Sequence, residues 1–340
     1  MSVDSAAQVS QELDIERHDQ LVRYLCQTGR IGPGERPTLR TLSGGVSNRT
    51  VLVQRAGGEG WVMKQALPKL RVSVDWYCSP ERIHREALGL RWLACLAPSG
   101  AVTRFLFEDR DHHLLAMEAV PEPHENWKTM LLAGRLDPLH VEQFGVLLRS
   151  IHRNAIAHRG QLERAFGDRS FFEGLRLEPY YEYTATRVPE AASFLARLVE
   201  ETRACRETLV HGDYSPKNVL VRDSQLVLLD HEVVHLGEPA FDLGFSLAHL
   251  LSKAHHLPPR RADFAGAALL YLRAYEAEPE LEPRVVQHTL ACLLARVAGR
   301  SPLEYLDEDE RSRQQRAVVS LLAQPPRRVR SLIERFVGEL

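Results

Sequence analysis

The sequence predicts an α+β chain of two lobes: a small antiparallel sheet carrying one main helix, then a larger and mostly helical region. Three observations predict it. Up to residue 120 the apolar residues come in short alternating runs broken by glycine turns. Beyond Pro123 they recur at helical spacing over long segments. Within that helical half, residues 208–234 alone revert to short β-branched runs around turn residues. The first lobe is accordingly placed at 1–120, with an N-terminal helix, a glycine turn and a sheet. The second is placed at 121–340, and 340 residues suffice to bury two cores.

From Asp14 to Gln27, Ile15, Leu21, Val22 and Leu25 fall near one helical face, and glycines and prolines from Gly29 to Pro37 stop the helix. LRTL, the SGGVSN turn, RTVLVQ, the AGGEG turn and WVMKQAL then read as an antiparallel meander. Ser79 and Pro80 open a helix that Pro98 ends. VTRFLFED and HHLLAMEAV are two further strands, closing at Pro121 and Pro123. Helical spacing then marks residues 137–153, 189–208, 261–276, 283–298 and 308–323.

Composition excludes several classes. The chain is 44% hydrophobic and 26% charged, as in globular proteins, and its net charge of −2 does not make a nucleic-acid footprint. Five scattered cysteines without a CxxC pair suggest neither a disulfide framework nor a cysteine zinc site. The polar start MSVDSAAQVSQELD is no signal peptide, and no apolar stretch approaches the ~18 residues of a membrane span. The expectation is a soluble cytoplasmic protein that meets neither nucleic acid nor membrane.

Four elements carry chemistry. In SGGVSN, Gly44 and Gly45 let backbone N–H groups approach phosphate oxygens, and Ser47 and Asn48 add donors. Lys64 follows on a predicted strand, placed to neutralise phosphates, with Glu86 of the next helix as its ion-pair partner. HGDYSPKN then brings Asp213 and Asn218 onto one short loop, and Asp230 ends the apolar run LVLLD. Phosphoryl transfer needs a carboxylate at the attacking hydroxyl and oxygen ligands for Mg²⁺, and this trio supplies both. Glu232 points to the same side as Asp230 if the strand continues, which would make it a further metal ligand.

HGDYSPKN followed by LLDHEVVHLGEPAFDLG resembles the aminoglycoside phosphotransferase, choline kinase and methylthioribose kinase superfamily. The segment KQALPKLRVSVDWYCSPERIHRE, residues 64–86, looks closest to methylthioribose kinase. The resemblance implies a protein-kinase-like two-lobed fold, ATP and Mg²⁺ as cofactors, and a small-molecule acceptor, sugar-like in preference to an aminoglycoside or amino alcohol. It makes Asp213 the catalytic aspartate and Asn218, Asp230 and Glu232 metal ligands. Lys64 contacts the ATP phosphates, and Met117 to Val120, including Glu118, forms the hinge against adenine. Asp242 and His211 organise the loop, and a homodimer is possible by the same resemblance. Methylthioribose kinases share a twin arginine late in the helical lobe; here Arg296 and Arg300 stand four apart, on one helical face if Gly299 does not end the helix.

Other readings compete. A catalytically silent nucleotide-binding scaffold of the same fold would typically lack one of Lys64, Asp213, Asn218 or Asp230. HEVVH, His231–His235, matches a zinc-hydrolase pattern, but as a strand it holds its histidines ~13 Å apart. A cationic acceptor would call on Glu173, Glu178 and Glu182, with Tyr180, Tyr181 and Tyr183 on a nearby loop.

Overall fold

The computed structural model describes residues 13–42, 45–72 and 75–340, so Gly44 of the glycine turn lies outside the described residues. These residues form two compact units. One holds Ile83 and the residues before it with Leu106–Ala119; the other holds His84–Phe105 with Val120–Leu340.

In the first unit, α1 (His18–Gln27) buries Leu21, Tyr24 and Leu25. Strands β1 (Thr38–Thr41), β2 (Asn48–Gln54) and β3 (Gly60–Ala66) precede α2 (Arg82–Leu96), and β4 (Phe105–Asp109) and β5 (Leu114–Glu118) follow it. The sheet runs β1-β2-β3-β5-β4, with its registered pairs antiparallel. Period-two alternation turns Val51 and Val53 of β2 inward, where they join Met63, Phe107, Leu114 and Ala116 over the apolar face of α1. Glu81 N–H donates to Ser79 Oγ at 3.3 Å, so Ser79 and Pro80 lead into α2 as the sequence predicts. From His84 onward α2 groups with the second unit.

That unit is mainly helical. It contains β6 (Glu125–Asn126), α3 (Trp127–Leu132), α4 (Pro138–Ile156), α5 (Arg159–Phe166) and α6 (Ser170–Phe172). A π-helix over Glu173–Glu182 runs on into α7 (Tyr183–Arg187). Then come α8 (Ala192–Ala204), α9 (Pro239–His256), α10 (Arg261–Tyr275), α11 (Glu282–Ala298), α12 (Glu308–Ala323) and α13 (Val329–Gly338). Three starts follow capping chemistry: Asn126 accepts from Lys128 N at 3.1 Å at α3, Asp137 accepts from Leu139 N at 2.9 Å before Pro138, and Asp307 and Glu310 form a reciprocal capping box. No described helix is long and apolar enough to cross a membrane.

Inside this unit the 208–234 stretch forms β7 (Thr208–Val210), β8 (Val219–Arg222) and β9 (Gln225–Leu228), and β10 (His235–Gly237) pairs back on β7. Three expectations change here. The strand expected to end at Asp230 ends at Leu228, and residues 231–234 form a turn closed by Val234 N to His231 O. Alternation therefore does not place Glu232 beside Asp230. The tyrosines expected on a loop lie on the π-helix or the first residue of α7. Gly299 is the C-cap of α11, so Arg296 is helical and Arg300 is not.

Candidate active site

His211 to Asn218 is a loop shaped chiefly through its backbone. Asp242, wholly buried in the first turn of α9, accepts the His211 N–H at 2.7 Å and the Gly212 N–H at 2.8 Å. His152 Nε2 lies 3.2 Å from the same carboxylate. Burial alone would raise the Asp242 pKa; the bonds from His152 and the loop outweigh it and hold the carboxyl below its ordinary value. Arg176 Nε donates to Gly212 O at 2.7 Å, and Ser246 Oγ donates to Tyr214 O at 2.7 Å. Gly212 sits at φ +77°, and a Cβ there would approach Val233 Cγ2 to 2.9 Å, so the turn requires glycine.

Asp213 is fixed at one oxygen. Arg176 Nη2 lies 2.9 Å from Oδ2 and Asn218 Nδ2 donates to the same atom at 2.7 Å. A second bond from Asn218 Nδ2 reaches Asp213 O at 3.0 Å. With its donors spent this way, the Asn218 amide turns its Oδ1 away from Asp213, and oxygen is what Mg²⁺ takes. Asp230 sits at φ +67°, a conformation that a non-glycine residue holds only under constraint from its surroundings. An amide oxygen and a carboxylate fit a hard divalent cation.

His211 braces the loop from beneath. Asp213 N–H can only donate, so His211 Nδ1 accepts it, at 3.2 Å. The ring proton therefore sits on Nε2, which donates to His231 Nδ1 at 3.1 Å. Burial pushes the His211 pKa below its ordinary value, in keeping with a neutral ring. Gly89 of α2 permits this packing, since a Cβ there would lie 2.8 Å from His231 Cβ. His235 Nδ1 meets Val233 O at 3.0 Å and its ring stacks on Phe172 at 3.9 Å, so HEVVH spends both histidines on packing.

The other predicted residues fall as follows. Gly45, Ser47, Asn48 and Lys64 lie in the first unit, with Lys64 on β3 between Thr50 and Leu115. Ser47 and Asn48 are buried, and Asn48 Nδ2 donates to Ser47 Oγ at 3.1 Å. Glu118 ends β5, paired with Trp61, and Val120 begins the next stretch of the second unit. Glu86 is fully buried on α2. Arg176, the guanidinium on Asp213, escaped the sequence reading, because a lone arginine on a helix carries no motif to mark it.

Residues 38–281 match the APH family, described as the Phosphotransferase enzyme family. The chain belongs to this family. No curated protein matches the sequence. Solved structures share the fold at low identity. The amicoumacin kinase hAmiN, in complex with AMP-PNP, Ca²⁺ and Ami, is 14% identical with a TM-score of 0.59, over 92% of this chain and 98% of that one. A choline/ethanolamine kinase family protein from Mesorhizobium loti is 15% identical with a TM-score of 0.54, over 95% and 98%. The streptomycin–ATP ternary complex of APH(2")-IIa is 14% identical with a TM-score of 0.51, over 99% of both chains. This phosphotransferase thus has the protein-kinase-like fold of its family, in which ATP and a divalent metal are the usual cofactors.

Proposed function

We propose that this phosphotransferase is a cytoplasmic kinase that moves the γ-phosphoryl group of ATP to a hydroxyl of a small, sugar-like acceptor. One observation carries the reading: Asp213 is held at Oδ2 by Arg176 and Asn218, which leaves Oδ1 to receive a hydroxyl. Asp213 orients that hydroxyl and takes its proton late, as a loose transition state allows. The Arg176 guanidinium grips the carboxylate at Oδ2 and restrains its rotation. Asn218 and Asp230 would hold Mg²⁺, which neutralises charge on the transferring group; Glu232 would join them only through the turn after β9. Gly44, Gly45, Ser47, Asn48 and Lys64 are assigned to the ATP phosphates, and the backbone from Met117 to Val120 to adenine. Glu86 is a buried carboxylate that only a cation or hydrogen-bond donors can hold in place. The sugar-like preference rests on the 64–86 sequence pattern.

The test is ATP consumption with Mg²⁺ across sugars, sugar acids, amino alcohols and aminoglycosides, run beside Asp213→Ala. Turnover on at least one acceptor should fall about 10²–10⁴-fold in the variant while ATP binding persists. Equal turnover in the variant would remove Asp213 from the chemistry. ATP binding without turnover on any acceptor would favour the silent scaffold.

A further inference from the structure

Beyond Arg176 the helical unit holds a second set of cations, and among the described residues these form no ion pair. Arg296, in the last turn of α11, is 8% exposed. Its Nη1 donates to neutral acceptors, Tyr180 Oη at 2.8 Å and Ser301 O at 2.7 Å, and its buried Nε has no partner. Lys253 and His249 lie one turn apart on α9 and share a face. Lys253 is 0% exposed, and its Nζ reaches only the His249 carbonyl, at 3.3 Å, and the Tyr305 ring, 5.3 Å from its centroid. His249 Nε2 and Tyr305 Oη are also buried without a partner. Among the described residues neither Arg296 nor Lys253 has an ion pair. Glu304, the carboxylate that acts on both Lys253 and Arg296, is already paired with Lys128.

An arginine cannot lose its proton, so a buried one facing only neutral acceptors lacks the anion that would offset its desolvation. Lysine has an escape: burial, reinforced by Lys128 and Arg296, lowers the Lys253 pKa to about 7. Burial next to Arg296 and Lys253 likewise keeps His249 neutral. The cluster also adjoins the reacting carboxylate. Arg176 and Arg296 each stand 5.6 Å from the Tyr180 ring, and Arg176 is the residue bound to Asp213.

The carboxylates that a cationic acceptor would need are already taken. Arg203 pairs with both Glu173 and Glu182, at 2.9 and 2.7 Å, and Arg300 pairs with Glu178 at 2.7 Å.

We propose that the acceptor carries an anionic group, carboxylate or phosphate, and that Arg296, His249 and Lys253 receive it. This rests on the kinase reading above and narrows its acceptor. The class is then a hydroxylated acid or a sugar phosphate, rather than an aminoglycoside or amino alcohol.

The experiment is calorimetric titration of the full-length protein saturated with a non-hydrolysable ATP analogue and Mg²⁺, so that free anions do not read out on the nucleotide site. The probes are gluconate, glucose 6-phosphate, glucose and glucosamine. At least one anionic probe should bind about tenfold or more tighter than glucose, with glucosamine weakest, a tenfold change being about 1.4 kcal/mol. Gluconate ahead indicates a carboxylate; glucose 6-phosphate ahead indicates a phosphate. The preference should fall tenfold or more in Arg296→Gln and be reduced in Lys253→Met. Equal binding of all four, tighter glucosamine, no binding of either anion, or a preference that survives both substitutions would overturn the proposal. Should Arg296→Gln not fold, the wild-type ranking and Lys253→Met decide. Binding is read without turnover, so the two readings fail separately. An anion preference in a protein that phosphorylates nothing removes the kinase alone, and turnover on neutral acceptors without a preference removes the anion site alone.

Discussion

Asp242 and Lys253 lie eleven residues apart on α9, and both are wholly buried, yet only Asp242 is surrounded by partners of opposite polarity. Two backbone N–H groups and a histidine converge on the carboxylate. The amine meets one carbonyl and one ring face. The difference separates two uses of a buried charge. A charge whose partners are all supplied by the chain organises the fold. One left without them is either a burden on stability or a place kept for a ligand.

Substitution should break the first cluster hardest. Asp242→Asn leaves one carbonyl oxygen for three donors and turns an NH₂ toward N–H groups, so it should cost about 3–5 kcal/mol of stability. Turnover should fall with it; denaturant unfolding and kinetics would both read the loss. The sign with pH follows from the lowered Asp242 pKa. Its contribution is present above the unfolded value of about 3.9 and is lost as pH falls through the folded one, so wild type and variant should converge in acid.

Lys253→Met should act in the opposite direction and raise stability by about 1–4 kcal/mol near pH 7. The folded pKa of about 7 lies below the unfolded value of about 10.4, so between them the unfolded chain binds more protons and wild-type stability climbs with pH. The advantage of methionine should therefore be greatest at and below pH 7 and fade toward pH 10, in melts taken across that range. A destabilised Met variant would show that the amine has partners of its own. Least affected should be Arg300→Gln. Its pair with Glu178 is partly exposed, so the change should cost no more than about 1 kcal/mol and leave the acceptor preference intact.

Much of this was legible in the sequence because local chemistry and spacing governed it. The meander, the helical segments at 137–153, 189–208, 261–276, 283–298 and 308–323 and the HGDYSPKN loop follow from periodicity and turn residues, whereas α9 and the π-helix were not read from them. What was not legible depended on backbone detail or on residues distant in the chain. The LVLLD strand stops two residues early because Asp230 turns into the left-handed region, which no apolar run discloses. Arg176 reaches Asp213 from thirty-seven residues away, and Arg296 meets Tyr180 across a separation of 116. The pairing of Glu173 and Glu182 by Arg203 is equally invisible along the chain, although it decides which charges remain for an acceptor.

The way Asp242, Ser246 and Arg176 hold the loop, through the main-chain atoms of His211, Gly212 and Tyr214, bears on how such a protein can drift. Main-chain groups are the same whatever side chain they carry. A loop gripped there keeps its course while a position such as the exposed Lys217 is free to be rewritten. A motif built this way tolerates change where a side chain faces solvent, as at Lys217, and not where it is buried. Chains that share about one residue in seven with this one share its fold.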